Sequence, residues 1–378
     1  MAVFHRLAAF PVHSTLNMKT REAALDYPRG TISLGFCSLC GFISNVDFDP
    51  NLIDYSPQCE ESQGFSPTFN AFARKQALEL IERHGLRNKQ IIEIGCGKGE
   101  FLTLLCELGS NRGVGFDPAY VQERTQSAAR DRITFINDYY SEKYEHYSAD
   151  FICCRMTLEH ISSTGPFMKM VRRSIGDRNT TVFFQVPDVT RILKDCCFED
   201  IYYEHCSYFS GSSLAKLFER CGFQILALDR AYDGQYLTLE ARPSSSHSNP
   251  PSPCGDDLEM LRGHVATFPQ RLEQKWDHWR TTLKELHEQG KRVVLWGSGS
   301  KAVAFTTFLD VREEVQFTVD INPHRQGTYL AGTGQFIVSP AFLQEYRPHV
   351  VIIMNAVYVG EIKKDLEQLN LEPHILTL

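Results

Sequence analysis

Nowhere in these 378 residues does an apolar run approach the ~18 residues that a membrane-spanning helix needs, so no membrane partner is expected. Positive charge is also scarce. Lys and Arg number 39 against 46 Asp and Glu, a net charge of −7, and no basic stripe gathers them. A nucleic-acid partner is therefore not expected either. The N-terminal MAVFHRLAAFPVH has an apolar stretch too short for a secretory signal. Its lack of acidic residues before Glu22 leaves a transit peptide as a lesser reading. Paired cysteine spacing is nearly missing. The 12 Cys are scattered, several of them inside apolar runs (Cys96, Cys153, Cys154). That is the pattern of reduced thiols packed as small hydrophobes, and it predicts a cytoplasmic protein.

What is present is ordinary soluble composition, 43% hydrophobic and 22% charged, at a length that predicts two or three domains. Residues 1–69 read as a loop-rich lobe containing CSLCG at 37–41. From residue 70, NAFARKQALELIERHGL has apolar positions at helical spacing. Strands then alternate with helices: QIIEIGCG, GEFLTLLCELG, NRGVGFDP, ADFICCRMTLEHI and TTVFFQVPD. Such alternation predicts an α/β fold on a parallel sheet over residues 70–242. Residues 243–257 are Pro/Ser-rich and read as a linker. Residues 258–378 open on a helical stretch, expected to be interrupted near Pro269. KRVVLWGSGSKAVAFTTFL then starts a second strand, glycine turn and helix.

The first glycine turn, EIGCGKGEF, places Glu93, Gly95, Gly97 and Gly99 between a strand and a helix. Glycine lets backbone approach a ligand closely and adopt positive φ. Further on, GVGFDP ends the next strand at Asp117, where a carboxylate can accept both hydroxyls of a ribose. INDYY carries Asn137 and Asp138 at a later strand exit, where an adenine amino group would lie. The third glycine comes one residue early for a dinucleotide fingerprint. Acid, G-x-G-x-G and acid in this order is the pattern of class I S-adenosylmethionine (SAM) methyltransferases. The predicted fold is their doubly wound sheet.

The second turn, VVLWGSGSKAVAF, fits G-x-G-x-x-A through Gly297, Gly299 and Ala302, with Asp320 about where an NAD ribose acid belongs. As a dinucleotide motif it is the better of the two. An NAD-dependent oxidoreductase thus stands as an alternative. Lys301 in the turn suits a substrate phosphate instead, and a Rossmann-like unit without cofactor is a third reading.

Taken together, FCSLCGFISN, EIGCGKGEFL, GVGFDP, RMTLEHI, FQVPD, YYEHCSYFS, VVLWGSGSKAVAF, VDINPHRQG and IIMNAVY resemble one family over nearly all the chain. It is the SAM-dependent C-methyltransferases that act on nucleotide-linked deoxyketosugars. The resemblance implies an N-terminal zinc lobe, a SAM domain, and a Rossmann-like C-terminal domain that helps hold the nucleotide-linked acceptor through Gly297, Gly299, Lys301 and Asn355. Of the family's two cysteine pairs, Cys37 and Cys40 alone are here, with His5 and His13 as candidates to complete a zinc set of four. Cys59 stands where the family carries an aromatic in a loop closing over the active site.

DIYYEHCSYFS, residues 200–210, packs Tyr202, Tyr203, Glu204, His205 and Tyr208 together. Alone it reads as hydrogen-bonded core. Carbon methylation, however, needs a base to remove a proton beside a carbonyl and a donor for the resulting oxyanion. The resemblance implies His205 as that base, Glu204 and Tyr202 as its neighbours, and His160 of TLEHI as a second pocket histidine. Tyr203 and Tyr208 are expected to pack. A catalytically degenerate relative that only binds a ligand is the non-enzymatic alternative.

Overall fold

The computed structural model describes residues 1–244 and 257–378. Residues 245–256 of the expected linker lie outside the described residues. The N-terminal lobe differs from the loop-rich expectation. Strands β1 (Ala2–Pro11), β2 (Arg29–Phe36) and β3 (Ile43–Asn45) form an antiparallel sheet, with a short helix α1 (Arg21–Leu25) between the first two. Its strands escape a period-two reading because β1 is bulged between Val3 and His5 and again between Leu7 and Phe10.

The central sheet is built from β4 (Gln90–Ile94), β5 (Arg112–Phe116), β6 (Ile133–Ile136), β7 (Phe151–Arg155), β8 (Thr181–Pro187), β10 (Phe223–Ala231) and β11 (Tyr236–Pro243). Its order is β10-β11-β8-β7-β4-β5-β6, with only β11 running antiparallel to its neighbours. Helices α2 (Pro67–His84), α3 (Glu100–Gly109), α4 (Thr164–Ile175), α5 (Val189–Asp195) and α6 (Gly211–Arg220) connect or cover these strands. Helix α2 starts on a Ser66 cap with Pro67 in its first turn and ends at Gly85, which is left-handed. The short strand β9 (Ser207–Tyr208) leaves this unit and pairs with β3 of the N-terminal sheet. The stretch carrying Glu204 and His205 is thereby tied to the N-terminal lobe.

The C-terminal unit opens on α7 (Leu258–Glu288), one continuous 31-residue helix with Pro269 inside it. This corrects the expected interruption. Proline removes one N–H and crowds the preceding turn. The stripe Leu261, Val265, Phe268, Leu272, Trp276, Trp279 and Leu283 nonetheless stays buried on both sides of it, and that packing carries the helix through. Strands β12 (Val293–Trp296), β13 (Phe317–Val319), β14 (Phe336–Val338), β15 (Val350–Ile353) and β16 (His374–Thr377) form a wholly parallel sheet ordered β14-β13-β12-β15-β16. Helices α8 (Ser300–Leu309), α9 (Leu343–Tyr346) and α10 (Val359–Gln368) connect its strands. Core packing crosses the expected boundary at residue 257. Leu7, Phe10, Ile32 and Leu34 of the lobe share one buried cluster with Phe268, Trp276, Phe305 and Phe308. No described helix is long and apolar enough to cross a membrane.

Candidate functional site

Both glycine turns follow the strand at which the order of their sheet reverses, β4 in one and β12 in the other. Ligands of open α/β sheets bind at such switch points, beyond the carboxyl ends of the strands. The two turns open into one cavity of about 940 Å³, lined by Glu93, Gly95, Gly97 and Asp117 on one side and Gly297, Gly299, Lys301 and Asn355 on the other. Tyr202, Glu204, His205 and His160 also line it. Its volume lies at the upper end of the usual ~300–1,000 Å³ for ligand sites.

In the first turn Gly95, Gly97 and Gly99 all have positive φ. A Cβ at Gly95 would fall inside the Thr157 side chain, and one at Gly97 would meet Glu61 at 2.9 Å. The turn is held by Asp117. Its Oδ2 accepts from the Gly97 N–H at 2.8 Å and its Oδ1 from the Ala119 N–H at 2.7 Å. Burial raises the Asp117 carboxyl, against these two bonds that lower it. Glu93 accepts from the Leu102 N–H at 2.9 Å, which fixes the start of α3 to β4. Burial pushes its carboxyl up to about 8. Asn137 and Asp138 lie at the exit of β6, but neither lines the cavity. Asn137 donates to the Tyr120 carbonyl at 2.6 Å, and Asp138 takes the Tyr144 hydroxyl at 2.7 Å and pairs with Lys143.

A segment of the N-terminal lobe crosses the mouth of this turn. Lys98, buried in GCGKG, donates at 2.7 Å to both the Cys59 and Ala119 carbonyls. Glu60 takes Arg124 at 2.6 Å and Asn322 at 2.9 Å, so one carboxylate joins the lobe to both sheets. Nothing in the sequence reading had pointed to these long-range partners.

The second turn is differently occupied. The Asp320 carboxylate takes the Ser298 N–H at 3.0 Å and the Asn322 N–H at 2.8 Å. Lys301 does not project freely toward a phosphate. It is paired with Asp200, which Arg191 also reaches at 3.2 Å. Asn355 is in reciprocal amide bonds of 3.0 Å with Gln235. At the start of α8 the Ser300 hydroxyl lies 2.7 Å from that of Ser14. A loop of this chain thus touches the helix end where a dinucleotide pyrophosphate would lie.

Between the two turns sit Tyr202, Glu204, His205 and His160. His205 is 3% exposed, and its Nδ1 has no partner. Its ring lies 4.0 Å from that of Tyr202 and 4.8 Å from that of His160, the latter nearly perpendicular. Burial, with His160 and Lys301 nearby, pushes His205 well below the usual histidine range. Burial takes His160 down to about 4. Both rings are therefore neutral at pH 7. The His160 Nδ1 lies 2.6 Å from the Tyr55 hydroxyl. The phenol is thus supplied by Tyr55, four residues before Cys59. The substitution at Cys59 does not remove an aromatic hydroxyl from the pocket.

Glu204 shares the cavity wall, but its carboxylate is turned away from His205. It holds His13 Nδ1 at 3.1 Å, the Ser14 N–H at 3.0 Å and the Ser14 hydroxyl. Burial would raise it, yet the His13 and Ser14 bonds carry it below the usual glutamate range. His13 is thereby committed here, not to zinc, and His5 packs against Phe268 and Trp276. Cys37 and Cys40 face each other in their turn. Among the described residues no third His, Cys, Asp or Glu completes a donor set with them. Two thiols do not make a closed zinc site. Tyr203 and Tyr208 are buried packing residues, as expected.

The family model described as a methyltransferase domain matches residues 69–228, and that described as a C-methyltransferase C-terminal domain matches 258–372. C-methyltransferase NovU of Streptomyces niveus is 26% identical over 306 residues, covering 76% of this chain and 72% of that protein. Among solved structures, the Burkholderia thailandensis 1,6-didemethyltoxoflavin-N1-methyltransferase is 14% identical, covering 47% of this chain and 82% of that one at TM-score 0.35. The Synechocystis PCC 6803 magnesium protoporphyrin IX methyltransferase is 16% identical, covering 47% and 84% at TM-score 0.36. Likenesses at that level carry no weight for the site. The two family matches fall one on each sheet, and NovU spans most of the chain: the chain carries a methyltransferase domain followed by a C-methyltransferase C-terminal domain.

Proposed function

We propose that this enzyme methylates a carbon beside the ketone of a nucleotide-linked sugar, with His205 as the base. The observation that carries this reading is the shared cavity. The SAM-type turn and the second glycine turn open on it from opposite sides, and His205 and His160 stand between them. The family's name fixes the nucleophile as carbon, and a carbon nucleophile needs a proton removed first. His205 is neutral and its Nδ1 unpartnered, so it can accept a proton. The neutral Tyr55 hydroxyl, raised well above its usual range mainly by burial, donates to His160 Nδ1. The His160 ring also faces the Glu204 backbone carbonyl, and its Nε2–H would turn from there to the enolate oxygen. Glu93, Gly95, Gly97, Gly99 and Asp117 would hold SAM, which supplies an electrophilic methyl group when bound. The segment Tyr55–Glu61 would close over it. Glu204 would act by anchoring the His13–Ser14 loop, and Tyr202 by holding the His205 ring. Gly297 and Gly299 would border the nucleotide end of the acceptor. Lys301 and Asn355 support the walls through Asp200 and Gln235.

The NAD reading loses ground to the Ser14–Ser300 contact at the start of α8, which occupies a hydroxyl that a pyrophosphate would otherwise meet. The test is solvent exchange. With S-adenosylhomocysteine in place of SAM and dTDP-4-keto-6-deoxyglucose as the probe ketone, the enzyme in heavy water should place deuterium beside the carbonyl. His205→Ala should lower that exchange on the order of 10²–10⁴-fold while retaining S-adenosylhomocysteine affinity. Wild-type exchange in a folded His205→Ala protein would remove the base.

A further inference from the structure

One carboxyl group in the cavity wall has no structural occupation. Glu159 is 1% exposed, and neither of its carboxyl oxygens has a hydrogen-bond partner. Leaving a buried carboxyl unsatisfied is costly, and such groups concentrate where a site uses them. Its Oε1 lies 4.0 Å from His205 Nε2. It is therefore aimed at the one residue to which the carbon-acid chemistry assigns a proton. The gap exceeds a direct hydrogen bond, and a small side-chain rotation or one bridging water closes it.

We propose that Glu159 and His205 act as a pair, in which Glu159 receives through the imidazole the proton taken from the acceptor carbon. The inference rests on the His205 reading above and extends it. The steps balance without any further reactant. His205 takes the proton on a ring nitrogen, and the C–H electron pair becomes the enolate. The enolate carbon forms its bond to the methyl of SAM as the S–CH₃ pair leaves on sulfur. The imidazolium proton then passes to the Glu159 carboxylate, which releases it to solvent with the products.

The electrostatics agree in direction. Burial pushes Glu159 up to about 8, while His205 lies well below the usual histidine range. Of the two, the carboxylate is the stronger base, so it is where the proton settles. The other titratable groups around Glu159 are Cys154, Tyr202 and Cys206, and all three are raised mainly by burial, so they stay neutral near pH 8. His160 also lies beside the pair, with a ring nitrogen within 4.8 Å of both Glu159 and His205, and burial keeps it neutral above pH 4. His205 further faces Lys301, whose charge Asp200 balances. Only the Glu159–His205 pair therefore has a protonation step available there. Glu159 acts through His205 and is a positioning residue rather than a group that touches substrate.

The test follows deuterium exchange into dTDP-4-keto-6-deoxyglucose, with S-adenosylhomocysteine bound, from pH 6 to 10. Wild-type exchange should climb with pH through about 8 as Glu159 ionises, then level. Glu159→Gln should lose on the order of 10²-fold and become flat across this range, with cofactor affinity and melting temperature held. Glu159→Asp should restore the rising limb. If His205→Ala abolishes exchange while Glu159→Gln keeps the wild-type rate and profile, the pairing is wrong and the base stands. If His205→Ala keeps exchange, or wild type shows none at any pH, the base fails and the pairing with it. Should Glu159→Gln not fold, a flat wild-type profile or an Asp variant without the limb overturns the pairing by itself.

Discussion

Replacing Asp117 by alanine separates the cofactor turn from the rest of the site. Its two oxygens accept from the Gly97 and Ala119 N–H groups at 2.8 and 2.7 Å. Each carboxylate oxygen keeps a second lone pair that can serve a ribose hydroxyl. The variant thus removes the ribose acceptor and also frees the backbone that shapes the turn. A hydrogen bond to a charged group is worth about 1.5–3 kcal/mol. A net loss of about 2–3 kcal/mol in binding is therefore expected, or about 30- to 150-fold in Kd. Asp117→Asn should be nearly as damaging. Its amide NH₂ must face one of two N–H donors, so one bond turns repulsive. Calorimetric titration with S-adenosylhomocysteine measures the affinity. Melting with and without it measures the cost to the apo fold, since binding stabilises by mass action. A folded Asp117→Ala protein with affinity within about twofold of wild type would refute the assignment of this turn, because so small a change in Kd leaves no room for a lost ribose acceptor.

Lys301→Met should lower the melting temperature and leave cofactor affinity alone. It strips the partly buried Asp200 of one of its two cations while Arg191 remains, so the cost should fall below the ~3–5 kcal/mol of a fully buried pair. An unchanged melting temperature with weakened acceptor binding would instead make Lys301 a phosphate ligand. Glu204→Gln tests the anchor of the His13–Ser14 loop through pH. The folded carboxyl lies below its usual 4.5. Its stabilisation is therefore present above that value and lost as pH falls through the folded one. The melting gap between wild type and Glu204→Gln should be wide at pH 7 and close in acid. A constant gap would show that the glutamate is not held as a carboxylate.

The sheets and both turns were readable because strand, glycine turn and helix are local patterns, each complete within about 30 residues. Gly95, Gly97 and Gly99 announce positive φ by composition alone, and the structure has them there. What escaped was non-local. The β1–β2 hairpin is bulged, so its alternation is broken. Pro269 signals a break that buried packing on either side overrides. Glu204 stands beside His205 in the chain, yet its partner is His13, 191 residues away. Lys301 looked like a phosphate ligand because its turn is a local motif, whereas Asp200 reaches it from 101 residues away. Tyr55 and Glu159 carried no signal of their own. Their roles follow from what the fold sets opposite them.

The most direct test is the fate of the methyl group. With SAM labelled by carbon-13 at its methyl, the enzyme and dTDP-4-keto-6-deoxyglucose should give a product whose labelled methyl resonates as carbon-bound and couples to the adjacent ring carbon. His205→Ala should give essentially none of it. A labelled methyl found on oxygen, or carbon methylation undiminished in His205→Ala, would contradict proton abstraction by His205 as the step that makes carbon the nucleophile.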